Sequence, residues 1–154
     1  MSISMDVATL TGDWNLPQEQ VRQKLMNLQD ACLAEEQVEL PVTEYFSEGC
    51  YGREIFIPKG TCLVGEIHLD AWITVVSRGK IQVASEEGVS IVDATERPVT
   101  FVSPAGMKRA GYALEDTWWV MFIATPHKTT EAIRAHHIVS DYDQLEDRQT
   151  CLGQ

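Results

Sequence analysis

With 154 residues, 44% of them hydrophobic and 23% charged, the chain has the size and composition of one globular domain that buries roughly two-thirds of its unfolded surface. Twelve basic against twenty-three acidic residues give a formal net charge of -11, which repels phosphate backbones and anionic membranes and so excludes a nucleic-acid or membrane-surface role. No apolar run reaches the ~18 residues of a membrane span, and the N-terminus has neither a basic start nor an apolar signal core, so a cytoplasmic protein is expected.

Residues 1–14 are polar and lack periodicity, which predicts an extended or disordered leader. Residues 17–36 differ: Val21, Leu25, Leu28 and Cys32 recur at helical spacing behind Asn15 and Pro17, predicting one amphipathic helix with Asn15 as N-cap. Its apolar stripe needs a cover, either the chain's own barrel or a neighbouring subunit, and Val21, Leu25 and Leu28 are the candidate subunit contacts. From about residue 38 to 125 short β-rich runs alternate with turn chemistry, and strands are predicted at 54–58, 62–69, 72–77, 80–85, 89–93, 99–103, 108–113 and 117–125. A short helix at 129–136, an extended piece at 137–141 and an acidic tail complete the chain. The expected division is thus an N-terminal extension and helix (1–37), an all-β, antiparallel jelly-roll barrel (38–125) and a C-terminal helix with its tail (126–154).

The run 66–76 carries the most chemistry. Alternate residues of an extended segment share a face, so Ile67, Leu69, Ala71, Ile73 and Val75 point one way and Glu66, His68, Asp70, Trp72, Thr74 and Val76 the other. The second face starts with three groups able to bind a ligand and ends apolar, the layout of a pocket with a polar mouth and a closed floor. Lys108 and Arg109 form an adjacent basic pair in an acidic chain; pairing with Glu115 and Asp116 is expected of them, with an anionic ligand at the pocket mouth as the alternative. Trp118 and Trp119 face opposite sides of the last long strand, which requires burial on both faces and a covering helix or subunit for the outer row. The four cysteines, Cys32, Cys50, Cys62 and Cys151, contain no C-x-x-C pair, and free thiols are expected.

The stretch from Gly60 to Gly79 resembles the first cupin motif, in which a glycine precedes alternating histidines, a glutamate and a closing glycine, and Pro104-Ala105-Gly106 resembles the P-x-G of the second. The phrases EIFIPKGTCLVGEIHLD, SRGKIQVASEEGV and TFVSPAGMKRAGYALEDTWW more narrowly resemble small cupin-like proteins encoded by tailed bacteriophages. The resemblance implies a cupin-like jelly roll. It also exposes departures, because Arg109 stands near the place of the second motif's histidine, and Trp72 and Ile123 are apolar, leaving His68 with carboxylate neighbours only.

Those departures lead to an expected non-enzymatic phage structural or assembly protein, a homo-oligomer without cofactor, in the host cytoplasm or the virion with other virion proteins as partners. The alternative is a metal-free cupin binding a sugar or organic acid between Glu66, His68, Asp70, Trp72 and Arg109. A third reading is an iron-dependent oxygenase in which His68, Asp70 and His127 supply the metal ligands and Arg134 clamps an oxo acid. His136 and His137 are adjacent, point apart and make poor joint ligands.

Overall fold

The computed structural model describes residues 2–4, 10 and 12–152. Eleven strands and three helices follow in the order β1 (Ser2–Ser4), α1 (Gln18–Ala34), β2 (Val42–Ser47), β3 (Cys50–Ile57), β4 (Thr61–Val64), β5 (Ile67–His68), β6 (Trp72–Ser85), β7 (Gly88–Ala94), β8 (Val99–Ser103), β9 (Ala110–Ala113), β10 (Thr117–Ala124), α2 (Thr130–His137), β11 (Ile138–Val139) and α3 (Tyr142–Leu152).

One strand, β6, organises the barrel. Sequence alone predicts two strands here, separated by a turn at Ser77-Arg78-Gly79-Lys80, because glycine beside polar residues usually reverses a chain. Instead the fourteen residues run on and serve two sheets. Residues 72–76 pair with β8 and β10, and residues 79–85 with β7 and β9. Gly79 lies at the junction with φ +105°, and a Cβ there would collide with the Asp116 carbonyl oxygen. Only glycine allows both the positive φ and the close approach of the β10 entrance. The result is an antiparallel jelly roll with one sheet of order β2-β3-β10-β6-β8 and another of order β1-β4-β9-β6-β7.

Helix α1 covers the outer face of the second sheet. Val21, Leu25 and Cys32 are fully buried together with Cys62, Val64, Ala84, Ala110 and Tyr112, and Leu28 packs half-buried against the same cluster. Burial of this kind contributes about 1.5–3 kcal/mol per large aliphatic side chain. The stripe is therefore covered within the chain, which puts Val21 and Leu25 out of a second subunit's reach and leaves Leu28 half-buried at the edge. Pro17, not Asn15, occupies the N-cap position, and no side chain caps the helix. The predicted leader is also partly structured: β1 pairs with β4, and Leu10 and Trp14 join the cluster under α1. Residues 1, 5–9 and 11 of that stretch lie outside the described residues.

The predicted strand 62–69 is broken into β4 and β5, because β5 leaves the barrel sheet to pair with β11 from the C-terminal segment. The expected acidic tail forms α3, whose Tyr142 and Leu145 pack with Ile67 and Val139. Lys108 fastens this addition. Its fully buried ammonium donates to the carbonyls of Gly65 (2.9 Å) and Ser140 (3.0 Å), and burial pushes its pKa down to about 8. The expected partners Glu115 and Asp116 instead accept from Lys59, through its ammonium and its backbone N–H respectively.

Candidate binding site inside the barrel

Between the two sheets lies a cavity of about 310 Å³. Strand alternation explains its polarity. On β3 every second residue faces inward, and Tyr51, Arg53, Ile55 and Ile57 all line the cavity, so one strand supplies a polar end and an apolar floor. Leu63, Ile81, Val83, Trp119 and Met121 complete the floor. Helix α2 closes the polar end: Thr130, Ile133 and Arg134 share one helical face and all reach the cavity. The helix is held in place by Thr129, whose hydroxyl accepts from the Ala132 N–H as N-cap.

Two carboxylates at this end are already engaged. Glu44 accepts from the Tyr51 hydroxyl (2.6 Å) and the Thr130 hydroxyl (2.7 Å). Burial works to raise its pKa, yet these hydrogen bonds and the nearby Arg53 and Arg134 charges outweigh it and leave it lowered. Burial and the Glu44 carboxylate push Tyr51 well above its ordinary value, so the phenol stays protonated. Glu66 pairs with Arg134.

Arg53 lies across from Glu44 on the paired strands β3 and β2, and Arg109 is held by neutral groups. Arg109 donates to the Ser103 hydroxyl (2.8 Å), which shares a hydrogen bond with Thr74, and burial lowers even this guanidinium's pKa. Among the described residues neither Arg53 nor Arg109 has a carboxylate partner within ion-pair distance. Both flank His68. Burial first, and then these two positive charges, push the imidazole down to about 4 despite Glu66 and Asp70 nearby. His68 is therefore neutral at physiological pH and offers one donor and one acceptor nitrogen.

Of the residues singled out in sequence, Glu66, His68 and Arg109 meet on the cavity wall. Trp72 does not line it; fully buried, it stacks behind His68 at 4.5 Å between ring centroids and meets Tyr51 edge-on at 6.0 Å. Among the described residues its indole N–H has no hydrogen-bond partner. Asp70 is exposed and paired with His137 (2.6 Å), which also contacts the Thr125 hydroxyl. His127 stacks on His136 at 3.9 Å. His68, Asp70 and His127 thus do not converge, and among the described residues no group of three or more His, Cys, Asp or Glu is placed to hold a metal ion. The guanidiniums beside His68 also repel a cation, so the residues present do not fit the metal centre that cupin-like barrels lead one to expect.

Arg53, Tyr51, Glu44 and Thr130 escape the sequence reading. A strand begun at Glu54 hides the clue, namely that Arg53 shares its face with Ile55 and Ile57 and so puts a charge on an inward apolar row.

A variant of salicylate 1,2-dioxygenase from Pseudoaminobacter salicylatoxidans is similar in structure, with a TM-score of 0.50 at 12% identity over 76% of this chain and 34% of that one. The fold is a cupin-like jelly roll. KdgF from a Halomonas species (TM-score 0.49, 16% identity, 62% of this chain and 88% of that one) and a cupin superfamily protein from Desulfitobacterium hafniense (0.47, 9%, 58% and 81%) are also similar. At such identities the likeness concerns the fold alone. No protein-family model matches the sequence, and no curated protein matches it.

Proposed function

We propose that this cupin-like barrel is a metal-independent binding protein for a small organic anion, a carboxylate carrying an apolar body. The supporting observation is the pair of guanidiniums, Arg53 and Arg109, that face the cavity beside a neutral His68 without carboxylate partners. Arg109 is desolvated and hydrogen-bonded only to a neutral hydroxyl, and an anionic ligand supplies the counter-charge that offsets the cost of its burial. Bidentate hydrogen bonding is the natural fit between guanidinium and carboxylate. His68 adds a neutral donor, the Tyr51 hydroxyl being committed to Glu44, and the aliphatic floor takes the body of the ligand. The cavity stands at the small end of ligand pockets, which run from ~300 to ~1,000 Å³. Three guanidiniums (Arg53, Arg109, Arg134) against two carboxylates (Glu44, Glu66) leave the lining net positive over an apolar floor, which favours an acid over a neutral sugar.

The test is a thermal-shift and calorimetric screen of small aliphatic and aromatic carboxylates against neutral sugars. An acid at a hundredfold its Kd should stabilise the fold by about 2.7 kcal/mol, and Arg109→Gln or Arg53→Gln should weaken binding at least tenfold. The reading fails if no acid binds, or if the double variant binds acids as the parent does. A structural role in a phage particle, implied by the resemblance of the sequence, would draw on the outer surface of the barrel and is compatible with a ligand inside it; detection of the chain in purified particles is its test.

A further inference from the structure

The charges that line the barrel cavity are unequal in number and in freedom. Arg53, Arg109 and Arg134 stand against Glu44 and Glu66, and His68 is neutral, so the wall has a surplus of one positive charge. Arg134 reaches in from α2 and forms an ion pair with Glu66 in the link between β4 and β5. Glu44 gives its two oxygens to the Tyr51 and Thr130 hydroxyls and lies across from Arg53. Arg109 donates to the Ser103 hydroxyl and, among the described residues, has no carboxylate within ion-pair distance. At the far end Ile57, Leu63, Ile81, Val83, Trp119 and Met121 form the floor, and none of them carries a charge.

We propose that this site selects acids with a single carboxylate, and that Glu66 sets the limit by keeping Arg134 from the ligand. The inference rests on the anion-binding reading above and specifies which anions are taken. A second carboxylate has two places to go. On the floor it loses its water with no cation beside it, a cost that apolar contacts do not compensate. At the polar end it needs a further guanidinium, and Arg134 is occupied. Taking Arg134 would leave the Glu66 carboxylate without its partner and beside an incoming negative charge. The charge count leads to the same answer. One carboxylate brings the wall to neutrality, whereas a dianion leaves like charges facing each other in a poorly hydrated space, where Coulomb repulsion is strong. The volume of about 310 Å³ is that of roughly ten water-sized groups, enough for one carboxylate on a short chain or a single ring.

The test is calorimetric titration at pH 7 of the parent, Glu66→Gln and the double variant Glu66→Gln/Arg134→Gln with two matched pairs, benzoate against phthalate and hexanoate against adipate. Phthalate is the sharper probe, because its adjacent carboxylates would both sit at the polar end while the ring covers the floor. In the parent each monoacid should bind about tenfold more tightly than its diacid, or better. Glu66→Gln frees Arg134, so the ratio of the two Kd values should move about tenfold or more toward the diacid. The double variant has the parent's surplus of one positive charge and should return the ratio to within about threefold of the parent's. A diacid that binds the parent as tightly as its monoacid would overturn the inference, and this arm stands even if a variant fails to fold. So would a ratio that Glu66→Gln leaves in place, or one that stays shifted in the double variant. Binding of neither acid in both pairs would instead bring down the anion-binding reading itself, and the charge limit with it.

Discussion

Replacing Lys108 by methionine isolates the energetics of one buried charge. The ammonium is fully buried between the Gly65 and Ser140 carbonyls, with a pKa near 8 in the folded chain against about 10.4 for an unfolded lysine. Between these values the unfolded chain holds a proton that the folded chain has lost, so stability rises with pH through this window. From pH 7 to pH 9.5 the linkage amounts to about 2 kcal/mol of added stability. Other groups act in the opposite direction. Burial raises the pKa of Cys32, Cys62, Tyr51 and Tyr142, so the unfolded chain ionises first at these sites and stability falls as pH rises. Both proteins share those groups, and they cancel in the difference. Urea unfolding followed by tryptophan fluorescence should therefore show the stability of the parent minus that of Lys108→Met rising by about 2 kcal/mol from pH 7 to pH 9.5. A signed difference that stays constant within about 0.5 kcal/mol, or falls, would refute the placement of an ammonium in a desolvated site.

Gly79→Ala should destabilise the fold by about 3 kcal/mol or more, because the alanine methyl meets the Asp116 carbonyl at a positive φ; a melting temperature within 2 °C of the parent would remove Gly79 as the hinge of β6. The His68 imidazole, held near pKa 4 by burial first and then by Arg53 and Arg109, should show no titration in NMR spectra between pH 5.5 and pH 8, and a midpoint above 6 would mean that it is not desolvated in the cavity wall. Of the four free thiols Cys151 is exposed and Cys32 and Cys62 are buried, so a thiol reagent should modify Cys151 at once and the buried pair only on unfolding.

Local patterning was enough to read the class of fold. Period-two runs between glycine turns announced strands, and the 3.6-residue recurrence of Val21, Leu25 and Cys32 announced α1, because each pattern reflects which side chains one element must bury. The same patterning placed Glu66 and His68 as candidates, since polar groups on an otherwise apolar strand face are visible without coordinates, and Arg109 stood out as half of an adjacent basic pair in an acidic chain. Sequence could not decide which partner satisfies each face. Gly79 reads as a turn until the long-range approach of Asp116 shows it to be a bend within a continuous strand. Asp70 reads as a neighbour of His68 until β5 leaves the barrel and hands Asp70 to His137. Arg53 acquires its role only when β10 and β2 fix the register of β3, and the stripe on α1 finds its cover only when β4, β9 and β6 are assembled side by side. Burial of a face is a local demand, but the element that meets it comes from elsewhere in the chain, and only packing in three dimensions assigns it.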